Sequence, residues 1–303
     1  MLSLILALAL AASTTVDPSS PAELKQTGAS RVALASVTDP RNRPLVDVSA
    51  DDFVIQEAGA SREILSVRPA DYPIVVLLDT GSEGRSDFAL MQKAATHFIE
   101  RVGQRPIAFG TFGGAAKMQT TFEDERQEVL AKLSAATAES GGGSLLLQGA
   151  SLGGRTSHAT GTLVSASVIL AATPADASGS PADEMIAPIV DSNAILHVIA
   201  DRPVVRGSDL DFRGRSPGDN RDPTSLSLRS NPALRALAEQ SRGEFTVIYS
   251  ASSYQAALDR LADRLTSEML IEYLVPVGSK PNDVKVGIRI AGAKVRGLGV
   301  APR

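Results

Sequence analysis

The three histidines are the first side chains to consider for chemistry, because the chain contains no cysteine. His97 shares a predicted helix with Lys93 and Arg101, one turn away on either side, which indicates a solvated face. His158 falls in a predicted loop, and His197 lies inside an apolar strand, where a hydrogen-bonded core histidine is expected. The sequence has no H-E-x-x-H or H-x-x-E-H zinc pattern and no G-x-S-x-G nucleophile elbow. These features favour a binding protein over an enzyme.

A glycine run at residues 141–143, followed by Ser144, superficially resembles a phosphate-binding loop. The G-x-x-x-x-G-K-[ST] spacing and its lysine are missing, so the backbone amides would lack the cation that accompanies them at a phosphate. We therefore predict a turn that enters a helix at Ser144.

Charge and cysteine content exclude several classes of partner and site. The formal net charge is −4, without the basic excess that is typical of nucleic-acid-binding domains. Nucleic acid is therefore not expected as a partner. The absence of cysteine excludes disulfides, thiolate metal sites and cysteine nucleophiles.

The N-terminus predicts export. Residues 2–12 form an apolar run that is too short to span a bilayer but fits the hydrophobic region of a signal peptide. Ala9-Leu10-Ala11 offers a small-x-small cleavage pattern, although no Lys or Arg precedes Leu4. We assign 1–12 to a signal peptide, leaving no membrane span after cleavage, and 13–30 to a polar linker. The alternative is a frayed N-terminal helix.

The hydrophobic pattern predicts an α/β region between two β segments. Residues 31–68 contain short strands separated by turns, and residues 269–300 return to strand-like alternation. Between them, residues 73–268 alternate continuous apolar runs with amphipathic stretches, which predicts a doubly wound, mostly parallel sheet covered by helices on both faces. The predicted helices include one on which Phe88, Met91, Ala95, Phe98, Ile99 and Val102 share a face, and one capped by Asp124.

Neither β segment has enough strands to be stable alone. We therefore expect 31–68 and 269–300 to pack together as one small antiparallel β domain, into which the α/β region is inserted. The alternative is that each segment adds a separate edge strand to the central sheet.

Several stretches resemble the VWFA-related domain of Acidobacterial type, a von Willebrand factor A-like family. Residues 37–65 are similar to its N-terminal stretch, in particular D-D-F-V-I-Q-E-A-G at 51–59, where Ala58 replaces an acidic residue. The run IVVLLD at 74–79 resembles the first strand of a von Willebrand factor A domain. Residues 237–249 and 265–275 resemble the C-terminal elements. The resemblance covers nearly the whole mature chain and implies a Rossmann-like sheet.

The resemblance also implies a metal-ion-dependent adhesion site, from which this chain departs. Such a site holds Mg²⁺ with D-x-S-x-S after the first strand, a Thr on a following loop and an Asp after a later strand, leaving one position for an acidic partner group. Asp79 is present here, but Gly81 and Glu83 replace the two serines and only Ser82 lies between them. Ser144 stands in for the Thr. For the later Asp, the nearest carboxylate is Asp176.

We therefore expect no cofactor and no Mg²⁺ binding at this degenerate site, since octahedral Mg²⁺ tolerates ligand loss poorly. If a metal were bound, Asp79, Ser82 and Ser144 would hold it. Otherwise Asp79 caps the next helix or ties down the Thr80–Gly84 loop. The expected partner-binding residues are Asp79, Gly81, Ser82, Glu83 and Ser144.

The loop at 201–229 combines arginines with several aspartates over a length that is unusual inside a compact domain. It is either a contact surface for an acidic partner or a solvated insertion whose charges nearly balance. Its arginines are Arg202, Arg206, Arg213, Arg215, Arg221 and Arg229.

The function predicted from these features is a secreted or periplasmic protein-binding module, in adhesion or envelope assembly. One alternative is a metal-assisted hydrolase that uses Asp79, Ser82 and Ser144. The other is a purely structural subunit of an envelope complex.

Export predicts that about the first eleven residues are removed. N-terminal sequencing of the mature protein from its native host should therefore begin after the Ala9-Leu10-Ala11 stretch. Recovery of an intact Met1 in a cytoplasmic fraction would contradict export.

Overall fold

The computed structural model describes residues 28–81, 85–177, 182–201, 232–280 and 283–302. The strands are Gly28–Thr38 (β1), Phe53–Glu57 (β2), Ala60–Arg62 (β3), Ile64–Pro69 (β4), Ile74–Asp79 (β5), Ile107–Phe112 (β6), Lys117–Met118 (β7), Ala166–Ala171 (β8), Ile195–Asp201 (β9), Glu244–Ile248 (β10), Glu268–Pro276 (β11), Val284–Ile288 (β12) and Lys294–Pro302 (β13). The α-helices are Phe88–Arg101 (α1), Arg126–Ala135 (α2), Leu146–His158 (α3), Ala182–Asp191 (α4), Pro232–Gln240 (α5) and Ser253–Thr266 (α6), and Ala50–Asp52 form a short 3-10 turn.

The central sheet has the strand order β10-β9-β8-β5-β6-β7. Its strands are parallel except for β7, which pairs antiparallel with β6 at the edge. Every residue of β5, β6, β8 and β9 is buried, which explains their continuous apolar sequences. The strand order reverses between β5 and β8, as in a doubly wound fold. The predicted fold class is therefore confirmed.

Helices cover both faces of this sheet. One face packs against α1, α2 and α6, and the other against α3, α4 and α5. Glycines let α3 lie unusually close to its neighbours: a Cβ on Gly149 would be 2.8 Å from the Phe112 ring, and one on Gly154 would be 2.6 Å from the Pro188 carbonyl oxygen of α4. We call strands β5–β10 with helices α1–α6 the α/β unit.

The remaining strands form two small antiparallel sheets, with the orders β13-β1-β11-β4 and β12-β2-β3. Strand β1 lies between β11 and β13, and β2 pairs with β12, so the N-terminal and C-terminal β segments are joined by backbone hydrogen bonds. This is the small β domain into which the fold prediction inserted the α/β unit, and neither segment extends the central sheet. We call these seven strands the β unit. Strand β1 begins at Gly28, inside the stretch 13–30 that was assigned to a linker.

The structure tests three local predictions and corrects two of them, those for His158 and Asp124. His97 lies on a partly solvated face, as predicted: its side chain is 44% exposed, and its Nε2 is 3.3 Å from Asp259 on α6. His158 ends α3 instead of lying in a loop. Helix α2 has Glu125 at its N-cap, while Asp124 accepts a hydrogen bond from the Thr121 amide. The loop at 202–229 lies outside the described residues, as do most of the predicted linker and the signal peptide.

His197 is buried in β9, as predicted, but it lacks the hydrogen bond expected of a core histidine. Neither ring nitrogen has a hydrogen-bond partner among the described residues, and the ring lines a cavity of about 170 Å³ beneath α6. Burial lowers the pKa of His197 to about 3, and the nearby Arg264 guanidinium lowers it further in the same direction. The ring is therefore neutral in the folded protein at neutral pH.

Replacing His197 by leucine should flatten the pH dependence of unfolding in acid. The folded pKa of about 3 lies below the ordinary value of 6.5, so the unfolded chain binds a proton first as pH falls. The contribution of a neutral His197 is complete above pH 6.5 and is lost as pH falls towards 3. Between these two pH values, His197 makes the free energy of unfolding of the wild type fall by up to about 1.4 kcal/mol for each unit of pH decrease. Urea unfolding across this range measures it.

The exposed His158 provides the matched control, and His158→Gln should retain the wild-type slope. Burial raises the pKa of Glu268, whose titration acts in the opposite sense, but that carboxyl is present in all three proteins. If the free energy of unfolding of His197→Leu changed with pH as steeply as that of the wild type, the lowered pKa of His197 would be contradicted.

Candidate functional site

Asp79 lies at the end of β5, where the strand order reverses. Its side chain is buried, with the residue 1% exposed. Oδ1 accepts a hydrogen bond from the Gly81 amide at 2.8 Å, and Oδ2 accepts one from the Ala172 amide at 3.0 Å. The carboxylate thus ties its own loop to the end of β8. This agrees with the interpretation of Asp79 as a residue that holds the loop after β5.

Glu139 forms a second link at the same edge of the sheet. Its Oε1 accepts a hydrogen bond from the Thr80 hydroxyl at 2.9 Å, and its Oε2 accepts one from the Gly114 amide at 2.8 Å. The Glu139 amide in turn donates to the Thr80 carbonyl at 2.7 Å. Sequence reasoning missed Glu139. The available signal was an acidic residue two positions before the glycine run at 141–143.

Ser144 is buried at the entrance to α3. Its Oγ has no hydrogen-bond partner among the described residues, while its carbonyl accepts a bond from the Ala177 amide at 2.9 Å. Helix α3 begins at Leu146, two residues later than predicted, and its N-cap residue Leu145 supplies no side-chain hydrogen bond.

Asp176 supplies the missing cap from a distant loop. Its Oδ1 accepts a hydrogen bond from the Leu147 amide at 2.9 Å. A carboxylate at a helix N-terminus is favoured both by the unpaired amides there and by the helix dipole. The loop after β8 is thereby fixed against the start of α3.

These links bring most of the predicted site residues together. A Cβ on Gly81 would lie 3.3 Å from the Gly143 carbonyl oxygen, so the loop after β5 packs directly on the residue before Ser144. A Cβ on Gly143 would lie 2.5 Å from the Cβ of Ala177. We call this region, formed by Asp79–Gly81, Phe112–Gly114, Glu139–Ser144 and Ala172–Ala177, the carboxyl edge. Ser82 and Glu83 lie outside the described residues.

The donor set described at the carboxyl edge does not fit Mg²⁺. This ion prefers six oxygen ligands in an octahedron. Among the described residues, no group of three His, Asp or Glu side chains is arranged to hold a metal. Gly81 has no side-chain oxygen, and Asp176 is directed to the α3 amide. Of the predicted ligands, Asp79 and Ser144 remain among the described residues, and both Asp79 oxygens already accept backbone hydrogen bonds.

Tyr254 and Asp201 extend this buried polar region towards β9, and neither was predicted as a site residue. The Tyr254 hydroxyl donates to the Ala171 carbonyl at 2.5 Å. Burial raises the pKa of Tyr254, and the negative charges of Asp201 and Asp79 raise it further. Tyr254 therefore remains a proton donor and does not act as a base at neutral pH.

No model of a protein family and no curated protein matches this chain. Among solved structures, it is similar to proximal thread matrix protein 1 from the mussel byssus, with 11% identity, a TM-score of 0.48, and coverage of 65% of this chain and 48% of that one. It is also similar to a von Willebrand factor type A protein from Catenulispora acidiphila, with 12% identity, a TM-score of 0.47, and coverage of 92% and 74%. A third similar structure is BatB from Bacteroides thetaiotaomicron, with 14% identity, a TM-score of 0.43, and coverage of 64% and 98%.

The chain thus spans about half the length of the mussel protein. At these identities and TM-scores the likenesses assign neither a family nor a function. The fold description rests on the strand order of the structure itself. No helix in the described part of the chain is long and apolar enough to cross a membrane.

Asp176→Ala should lower the free energy of unfolding by about 1 kcal/mol, the usual effect of removing a capping side chain. The reason is that the first turn of α3 would lose its acceptor for the Leu147 amide. Urea denaturation measures the change. Asp176→Asn keeps an acceptor oxygen and should retain most of the stability. Equal losses in both variants, or no loss in Asp176→Ala, would contradict a capping role.

Proposed function

We propose that the chain is an exported, von Willebrand A-like protein-binding module whose carboxyl edge works without a bound metal ion. One observation carries this proposal: three carboxylates at this edge, Asp79, Glu139 and Asp176, hold backbone amides of the same chain. They serve to fix the loops, and a fixed set of loops at the end of a doubly wound sheet is a usual place for ligand contact.

A protein partner would meet the exposed parts of these loops. Asp79 and Ser144 are each 1% exposed, whereas Gly114, Ser140, Gly141 and Ala177 reach the surface. We assign the contact to the loop that carries Gly81, Ser82 and Glu83, together with these four exposed residues. In this proposal Asp79 and Ser144 position the loops.

The hydrolase alternative is less well supported than binding. A serine nucleophile needs a base within hydrogen-bond reach. No side chain among the described residues accepts a hydrogen bond from the Ser144 hydroxyl. Tyr254 stays protonated, and the neutral His197 faces the cavity beneath α6. We therefore propose that the chain is not an enzyme.

Added Mg²⁺ or Mn²⁺ should leave the melting temperature unchanged at physiological concentration. By linkage, a ligand at about 100 times its dissociation constant adds about 2.7 kcal/mol to the free energy of unfolding, which a thermal shift detects readily. Asp79→Ala distinguishes a specific site from general salt effects. A dose-dependent increase that Asp79→Ala abolishes would contradict the proposal.

A pull-down experiment with two further variants tests partner binding. The immobilised chain should retain its partner from the extracellular or envelope fraction of the native host equally well in Mg²⁺ and in a chelator. Glu83→Arg changes a proposed contact residue, so it should reduce retention, whereas Arg68→Met on the β unit should not. Retention that requires Mg²⁺, or that Glu83→Arg leaves unchanged, would count against the metal-free contact.

A further inference from the structure

A cavity of about 550 Å³ lies between the two units, at the opposite end of the sheet from Asp79. Val32 and Leu34 of β1 line it from the β unit, together with Gly299 and Val300 of β13. The α/β unit contributes the segment before β8, the end of α4 with the start of β9, and the end of α5. Small-molecule sites are commonly clefts of about 300–1,000 Å³ at domain junctions. We call this space the junction cavity.

The walls of the junction cavity are mainly aliphatic, and part of the apolar surface is open to solvent. Leu163 is 43% exposed and Val190 is 54% exposed, although both are large hydrophobic residues. Ile189 and Leu237 lie deeper in the same wall. No aromatic side chain is among the described residues that line the cavity. This surface suits an aliphatic group.

Arg242 is the one charged side chain among the described residues that line the junction cavity. Its guanidinium forms no ion pair or hydrogen bond with the described residues, and the same is true of the side-chain amides of Gln240 and Asn193 on the same wall. Three unpaired donor groups, one of them cationic, thus accompany an apolar surface. Arginine favours carboxylate oxygens, since its fork of donors matches their geometry.

Gly299 positions the Arg242 side chain. A Cβ at Gly299 would lie 2.1 Å from the Arg242 Cζ, so the guanidinium rests directly on the β13 backbone. Gly299 has φ +134°, which an L side chain rarely adopts, and Arg242 itself has φ +70°. The cation is therefore held across the junction between the units by a backbone geometry that glycine permits.

We propose that the junction cavity binds a small molecule with an aliphatic body and one carboxylate group, of the fatty-acid class. The carboxylate would pair with the Arg242 guanidinium. The side-chain amides of Gln240 and Asn193, on the same wall of the cavity, would be further hydrogen-bond donors. A peptide fits less well, because each of its residues brings an N–H and a C=O that need partners. An alkyl chain needs none. This site is independent of the carboxyl edge and of the function proposed for it.

Competition between laurate and a fluorescent fatty acid tests the proposal on the full chain. Laurate should displace the probe saturably. Arg242→Met removes the charge but keeps an aliphatic stem, so it should weaken laurate binding about 10- to 100-fold, the usual effect of losing a charge-assisted hydrogen bond. Dodecanol, which has the same chain without the charge, should bind both proteins equally.

Two further variants complete the design. Val190→Trp places a bulky ring at the mouth of the cavity and should block laurate and dodecanol alike. Arg68→Met removes an exposed arginine of β4, away from the cavity, and should change nothing. Melting temperatures confirm that each variant is folded. The proposal is overturned if laurate fails to bind saturably, if Arg242→Met and Val190→Trp bind it as the wild type does, or if a short hydrophobic peptide with a free C-terminus binds more tightly than laurate.

Discussion

The fold depends on the place where the chain crosses twice between its two units. The outgoing segment, Ala70–Pro73, and the returning segment around Glu268 lie side by side, because the Ala70 amide donates to the Glu268 carbonyl at 2.9 Å. The Tyr72 hydroxyl donates to the Glu268 carboxylate. Arg105 lies 4.5 Å from the centroid of the Tyr72 ring and donates to the Leu265 carbonyl at 2.7 Å. An inserted unit needs its two ends close together, and these contacts provide that constraint.

Because the two units meet at this crossing, strand β1 contributes side chains to two hydrophobic cores, one in each unit. Successive side chains of a strand point to opposite faces. Ala33, Ala35 and Val37 accordingly pack inside the β unit, while Val32 and Leu34 join the core formed by α1, α2 and α6. The β unit therefore covers one end of the parallel sheet and leaves the carboxyl edge uncovered by its strands. The junction cavity lies where this covering is incomplete, beside Val32 and Leu34.

Patterns in the sequence could predict the sheet and its helices but not the contacts that fix the carboxyl edge. The continuous apolar run of β5 and the periodic apolar face of α1 are local signals, and both predicted the element that formed. The cap of α3 is not local, because Asp176 lies 29 residues from the Leu147 amide. Glu139 is likewise 59 residues from Thr80. Helix α3 consequently lacks the Ser, Thr, Asp or Asn at its N-cap that would have marked its start.

The same distinction explains the environment of Asp79. Its position at the end of a buried strand was evident from the sequence, but two of the amides that it binds belong to Gly81 and to Ala172, the latter 93 residues away. A buried carboxylate is tolerated only when hydrogen bonds replace the water that it loses. Here the Gly81 and Ala172 amides supply two of those hydrogen bonds. Those amides follow β5 and β8, the two strands between which the sheet order reverses, so Asp79 links the ends of these strands. The neighbouring Gly81 has no side chain, and the Gly143 backbone can therefore pack directly against it.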